Sequence, residues 1–250
     1  MSGHSRWANI KRTKGAVDAR RGRTFTKLVK EITVAARMGG GAVDGNPRLR
    51  LAIDKAKAEA MPKDNIDRAI KKGTGEIAGE AIVEYLYEGY GPHGVALMIE
   101  AASDNKNRTV SEIRNLLDKA NGSLGQANSV AWKFARKGRI AVPKKGTTED
   151  KLTEQVIEAG GDDVQDGGDV FYVMTSVEDF IAVRDALEKQ KVQVTEAELT
   201  YVPKDTIKLT GHHAESMLRL MDGLDEQDDV QKVHADFEID DEELQRIANL

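Results

Sequence analysis

The spacing of apolar residues changes near Glu80, from helical periods alone to strand-like runs alternating with helices, and that switch limits the folds open to this chain. Before it, Phe25, Leu28, Val29, Ile32, Ala35 and Ala36 recur at helical spacing, with Lys27, Lys30 and Arg37 on another face, and Gly39, Gly40 and Gly41 end the run. A second amphipathic helix follows Pro47, with Leu49, Ala52, Ile53, Ala56 and Ala60 inward and Arg48, Arg50, Lys55 and Lys57 outward. Pro62 fits only the first turn of a third helix, which runs through Ile66 and Ile70 to Gly73. After the switch, residues 82–87 and 95–101 are β-branched and aromatic runs separated by GYGPHG, which predicts two strands and a turn. Thr109 and Glu112 form a capping-box pattern ahead of Val110, Ile113, Leu116, Leu117 and Ala120, with Gly122 just past the end.

From residue 132 the expected order is strand (132–142, with a turn or bulge at Gly138), helix (149–159), two strands (near Val164 and 170–175), helix (177–189) and strand (192–202). That is the β-α-β-β-α-β order of a ferredoxin-like unit. A helix carrying Met217, Leu220, Met221 and Leu224 and a strand within 230–239 then return to the sheet of residues 80–122, which makes the ferredoxin-like unit an insertion. The predicted class is α+β: an all-helical basic domain, then two α/β sandwiches, one inserted in the other. The boundaries fall at 1–23 for a basic arm, 24–78 for the helical domain, 79–131 with 206–250 for the split domain, and 132–205 for the ferredoxin-like domain.

Charge divides the chain in the same way. Residues 1–72 hold 18 Lys and Arg against 7 Asp and Glu, and residues 147–250 hold 9 against 27, within a formal net charge of -5 over 250 residues. A basic end on an acidic protein is the pattern of a module that meets nucleic acid while the others fold, assemble or contact proteins. The chain has no cysteine, which removes disulfide frameworks, thiolate metal sites and cysteine nucleophiles. No apolar run is long enough for a membrane helix, and the start lacks a signal-peptide core, so a cytoplasmic protein is expected.

The motifs of catalysis are weak. GYGPHG matches a dinucleotide fingerprint as a string, but a strand follows it instead of a helix, and Pro92 removes a backbone donor, so it reads as a hairpin turn. His212 and His213 are adjacent and point to different faces of a helix, which argues against a shared metal. The consecutive acids near the C-terminus read as a solvated face. No catalytic residue, metal or cofactor is expected, and the chain reads as a non-enzyme.

The basic segment supports a different chemistry. Cations that neutralise phosphates release counterions, and this gives affinity without base readout. The candidate phosphate contacts are Lys11, Arg12, Lys14, Arg20, Arg21, Arg23, Lys27, Lys30, Arg37, Arg48 and Arg50. Trp7 and Phe25 either stack on bases or anchor the arm, and core is the better reading for Phe25. SDNKNRT places Asn105, Asn107 and Arg108 ahead of a helix, where they either meet a second phosphate or simply cap and brace the loop.

Several strings occur together: GHSRWANIK and KGAVDARRGRTFTKLVKEI, NPRLRLAIDKA, MPKDNIDRAIKKG, YEGYGPHGVALMIE, SDNKNRT, and GSLGQANSVAWKF from Gly122. With them the whole chain resembles the YebC/PmpR family, whose mitochondrial members activate translation of a cytochrome oxidase subunit. The resemblance implies three domains and a cytoplasmic regulator. Its partner would be DNA in transcription, or ribosomal RNA in a translation factor that relieves stalling at proline-rich sequences. The acidic domains would then meet the transcription machinery or the ribosome, with no membrane and no small-molecule cofactor. No helix-turn-helix, zinc finger or zipper string is present, and an extended basic arm suits irregular RNA somewhat better.

Overall fold

The computed structural model describes Trp7 and residues 17–248, with side chains for Trp7 and from Arg21 onward. The helical region comprises α1 (Val17–Gly39), α2 (Pro47–Ala58) and α3 (Lys63–Thr74). Their shared core is Leu28, Ile32, Ala35, Ala36, Leu49, Ile53, Ala56, Ile66 and Ala69. Buried Asn46 joins two of the helices. Its side chain accepts from Leu49 N at 3.0 Å, capping α2, and donates to Ala35 O at 2.8 Å and Gly40 O at 2.9 Å. α1 starts at Val17, so residues 17–23 are helical where the sequence reads as an arm. They lack an apolar period, so the helix there continues from its packed part without a pattern the sequence could show.

The rest of the chain runs β1 (Val83–Tyr90), β2 (Ala96–Ser103), α4 (Lys106–Lys119), β3 (Ser123–Leu124), β4 (Phe134–Pro143), α5 (Glu149–Ala159), β5 (Asp163–Asp166), β6 (Val170–Thr175), α6 (Phe180–Lys189) and β7 (Glu196–Pro203). It ends with β8 (Ile207–Lys208), α7 (Gly211–Glu226), β9 (Val230–Ala235), β10 (Phe237–Glu238) and α8 (Asp241–Ala248). One four-stranded sheet has the order β3-β1-β2-β9 and the other β5-β6-β4-β7, while β8 and β10 form a separate parallel pair. Because β9 pairs with β2, from Leu97↔Ala235 to Ala101↔Val230, the chain leaves the first sheet, builds the second and returns. The second sheet is antiparallel throughout and is the ferredoxin-like unit. The fold is α+β, as the pattern predicts.

Each sheet buries one face under two helices. Leu97, Ile99 and Val233 meet Ile113, Leu117, Met217 and Met221 of α4 and α7. Ile140, Val142 and Val173 meet Leu152, Val156, Val183 and Leu187 of α5 and α6.

Four local expectations need correction. α4 begins at Lys106 with Asn105 as its cap, so Thr109 is not the first residue of a capping box; its hydroxyl donates to Asp229 Oδ2 at 2.7 Å, with Asn105 O also in reach at 3.0 Å. β4 passes through Gly138 in continuous register with both neighbours, and glycine is required there because Thr175 Oγ1 lies 2.2 Å from where a Cβ would stand. Trp132 precedes β4 in a 3-10 turn and is not part of the strand. Of the C-terminal acids read as a solvated face, Asp240, Asp241 and Glu242 are exposed at the start of α8, but Asp229 is buried and bonded.

Candidate nucleic-acid interface

α1 carries basic residues on two sides, and the structure puts them to different uses. On one side, Lys27 Nζ donates to Asp225 O at 2.7 Å, and Lys30 Nζ reaches Asp228 O at 2.9 Å and Asp229 Oδ1 at 2.5 Å. Arg23 lies 3.9 Å from Glu226. These cations grip the acidic turn between α7 and β9. Burial pulls the Lys27 ammonium below its ordinary value, against the opposing pull of Asp225 and Asp228. Trp7 joins the same end: its Nε1 donates to Asp222 Oδ1 at 3.0 Å and its ring packs on the core of the first sheet. Phe25 packs on the helical core, with the Arg21 guanidinium 5.4 Å from the centre of its ring.

Asp229 is the centre of that contact, with a side chain only 3% exposed. Burial alone would raise its carboxyl; donors from Lys30, Thr109 and Arg108 outweigh burial and hold it at about 2. Arg108 also pairs with Asp104 at 2.9 Å. The SDNKNRT segment is therefore built around an internal carboxylate: Asn105 is spent as a cap and Arg108 as a brace, while Asn107 is exposed on α4.

Arg48 is likewise committed, at 2.8 Å from Glu31 and 2.5 Å from Glu84 of β1, so it ties the helical region to the first sheet. Burial works against its charge, but the two carboxylates raise its pKa further still. Arg50 donates to Asp44 O at 3.3 Å. Arg37 is exposed, with no side-chain partner among the described residues. Lys11, Arg12 and Lys14 lie outside the described residues, and Arg20 lies on α1.

A second set of cations stands outside the candidate phosphate contacts, although Lys57 reads as outward-facing in the sequence. Lys57 at the end of α2 and Lys63, Arg68 and Lys71 of α3 are exposed and unpaired among the described residues. Apolar spacing marks which residues of α3 point inward, and the outward cations follow from it. What the sequence does not show is which helix faces a neighbouring domain.

Among the described residues no group of three or more His, Cys, Asp and Glu is arranged to hold a metal, although the His93 and His213 rings lie 3.3 Å apart. No helix there is long and apolar enough to cross a membrane.

Comparison with known proteins covers nearly the whole chain. A family model described as the TACO1/YebC protein N-terminal domain matches residues 5–76, and one described as the TACO1/YebC second and third domain matches residues 82–237. A probable transcriptional regulatory protein of Geobacter sulfurreducens is 54% identical over 247 residues, covering 99% of this chain and 100% of its own. One from Syntrophobacter fumaroxidans is 53% identical over 249 residues, with 99% and 100% covered. A crystal structure of a conserved hypothetical protein from Aquifex aeolicus is 46% identical, with a TM-score of 0.84 over 90% of this chain and 93% of that one.

Proposed function

The chain belongs to the TACO1/YebC family, and from that premise we propose that it is a non-enzymatic, cytoplasmic regulator of gene expression that binds nucleic acid through residues 1–72. The observation that carries this reading is the excess of cations there, 18 against 7 acids, of which Arg37, Lys57, Lys63, Arg68 and Lys71 stay exposed and unpaired among the described residues after folding. Arg20 and Arg21 extend the surface along α1, Arg23 stands at its edge with part of its charge turned to Glu226, and Lys11, Arg12 and Lys14 precede it. Lys27, Lys30 and Arg48 hold the domains together in this reading and position that surface.

The relatives' names give transcriptional regulation as the process, and DNA is the target we infer from it. A second reading, a ribosome-associated factor on ribosomal RNA, is favoured by α1 itself. Its Lys27 and Lys30 side is covered by residues 225–229, so the longest helix is not available on that side to read a major groove, and contacts directed at a backbone are left.

Fluorescence anisotropy with duplex DNA and with a ribosomal RNA fragment, over a salt series, tests the assignment. Replacing Arg37, Arg68 and Lys71 together by alanine is expected to weaken binding across sequences and to flatten the log–log salt slope by about 2–3. The Arg20, Arg21, Arg23 triple variant should do the same. Unchanged affinity and slope in both would overturn the proposal, and the tighter of the two targets decides between the readings.

A further inference from the structure

One string remains unused by that reading: SVAWKF, between β3 and β4. Trp132 there is 66% exposed, although its neighbours in the chain are anchored. Val130 is fully buried and Phe134 is 6% exposed, and both pack against Ala96 and Met98 of the first sheet. The turn that carries the indole is held by a buried carboxylate: Glu88 of β1 accepts from Asn128 N at 2.7 Å, and from Val130 N and Ala131 N at 2.8 Å each. Burial would raise that carboxyl, and the three backbone donors bring it below its ordinary value. The ring itself is oriented, since Trp132 Nε1 donates to Ser129 O at 3.2 Å and the same carbonyl accepts from the Tyr90 hydroxyl at 3.1 Å. The indole is thus held on a braced turn, with most of its surface in water.

The surroundings are cationic. Lys133 Nζ lies 5.9 Å from the ring centre while bonded to buried Asp236, and Lys204 Nζ donates to Trp132 O at 2.8 Å. Arg136 follows on β4, exposed and unpaired among the described residues. An aromatic face fixed beside positive charge suits a ligand with a flat π surface on an anionic backbone. We propose that Trp132 is a stacking platform for an unpaired base of the nucleic acid, with Glu88 as the positioning residue that holds its turn. The proposal rests on the nucleic-acid reading above and adds a second, stacking contact on the face of the hairpin that also meets α1, but at its other end: Val130 and Phe134 pack on Ala96 and Met98, whereas Val34 of α1 packs on Ala102. A protein pocket that takes the same indole is the competing occupant; the cations around the ring favour the base.

The experiment compares the full chain with Trp132→Ala and Trp132→Phe on two probes, a single-stranded oligouridylate and a fully paired RNA duplex of equal length. Trp132→Ala is expected to weaken single-strand binding by about ten-fold and to leave duplex binding unchanged. The salt slope should not move, because a stacked base releases no counterions. Trp132→Phe, which keeps a π face, should recover most of the loss, and Glu88→Gln should reproduce part of it. If Trp132→Ala binds the single strand as the parent does, or loses both probes equally, the stacking assignment is overturned while the basic surface stands. If the parent chain binds neither probe nor the duplex DNA, the nucleic-acid reading itself falls, and this proposal with it.

Discussion

Asp229 shows how one carboxylate can set the arrangement of three segments. Lys30 comes from α1, Arg108 and Thr109 from α4, and Asp229 itself from the turn before β9. Its carboxyl is held at about 2, below the usual value near 4. The stabilisation is therefore complete above the unfolded value and is lost as the pH falls towards 2, an effect of roughly 2 kcal/mol. Asp229→Asn keeps the shape and removes the charge, leaving the largely buried Lys30 ammonium with the Asp228 carbonyl but without its counter-charge. Denaturant melts at pH 7 should show a loss of about 2–3 kcal/mol, and the gap between parent and variant should close as the pH approaches 2. A gap that is independent of pH would mean that the ion pairs contribute nothing. The sequence names Lys30 and Arg108 as cations but gives no sign of their partner, 199 and 121 residues away. Such a pairing is a product of topology, which is why both residues read equally well as phosphate contacts.

At the scale of elements, the period of apolar residues was enough to place most helices and strands. The expected ranges 149–159 and 170–175 coincide with α5 and β6, and the GYGPHG hairpin turn stands where β1 meets β2. The departures have local causes. α4 starts earlier because Asn105 is the better cap, and Trp132 falls outside β4 because Glu88 gathers its turn through backbone donors that no sequence pattern reports. Gly73 gives the clearest test of helix packing. A Cβ there would stand 2.4 Å from Thr33 O and 2.8 Å from the Ala36 Cβ, so α1 and α3 cross at a point where only glycine fits. Gly73→Ala should force the two helices apart and cost about 2 kcal/mol or more, despite the better helix propensity of alanine. Thermal unfolding checks the magnitude, and a variant as stable as the parent would show that the crossing can relax freely.

Across the whole molecule, the regions meet where the two sheets approach each other, and beside apolar packing such as Tyr201 on Ala96 and Met98 the contact carries a polar cluster. Glu198 of β7 pairs with Arg139 at 2.5 Å within its own sheet and with Lys232 of β9 at 2.9 Å in the other. Nearby, His234 of β9 contacts Glu100 at 2.6 Å and Thr200 of β7 at 3.3 Å. Burial would raise the Glu198 carboxyl; Lys232, Arg139 and Lys55 of α2 bring it far below its ordinary value. One carboxylate is thus attracted by cations of the helical region and of both sheets. An apolar joint would let the sheets slide; a charged pair that is four-fifths and two-thirds out of water works only in one register. That register fixes where the Trp132 turn lies relative to the basic helices, because the turn spans the passage from one sheet to the other. A double-mutant cycle on Glu198→Gln and Lys232→Met measures the joint directly. Each single variant should lose about 1–2 kcal/mol, since both side chains keep some contact with water, and the double variant should lose less than the sum. The singles should also separate the unfolding of the ferredoxin-like unit from the rest, seen as a broadened or split calorimetric transition. Strict additivity, with one sharp transition in every variant, would place the coupling in the apolar contacts instead and free the polar cluster for another role.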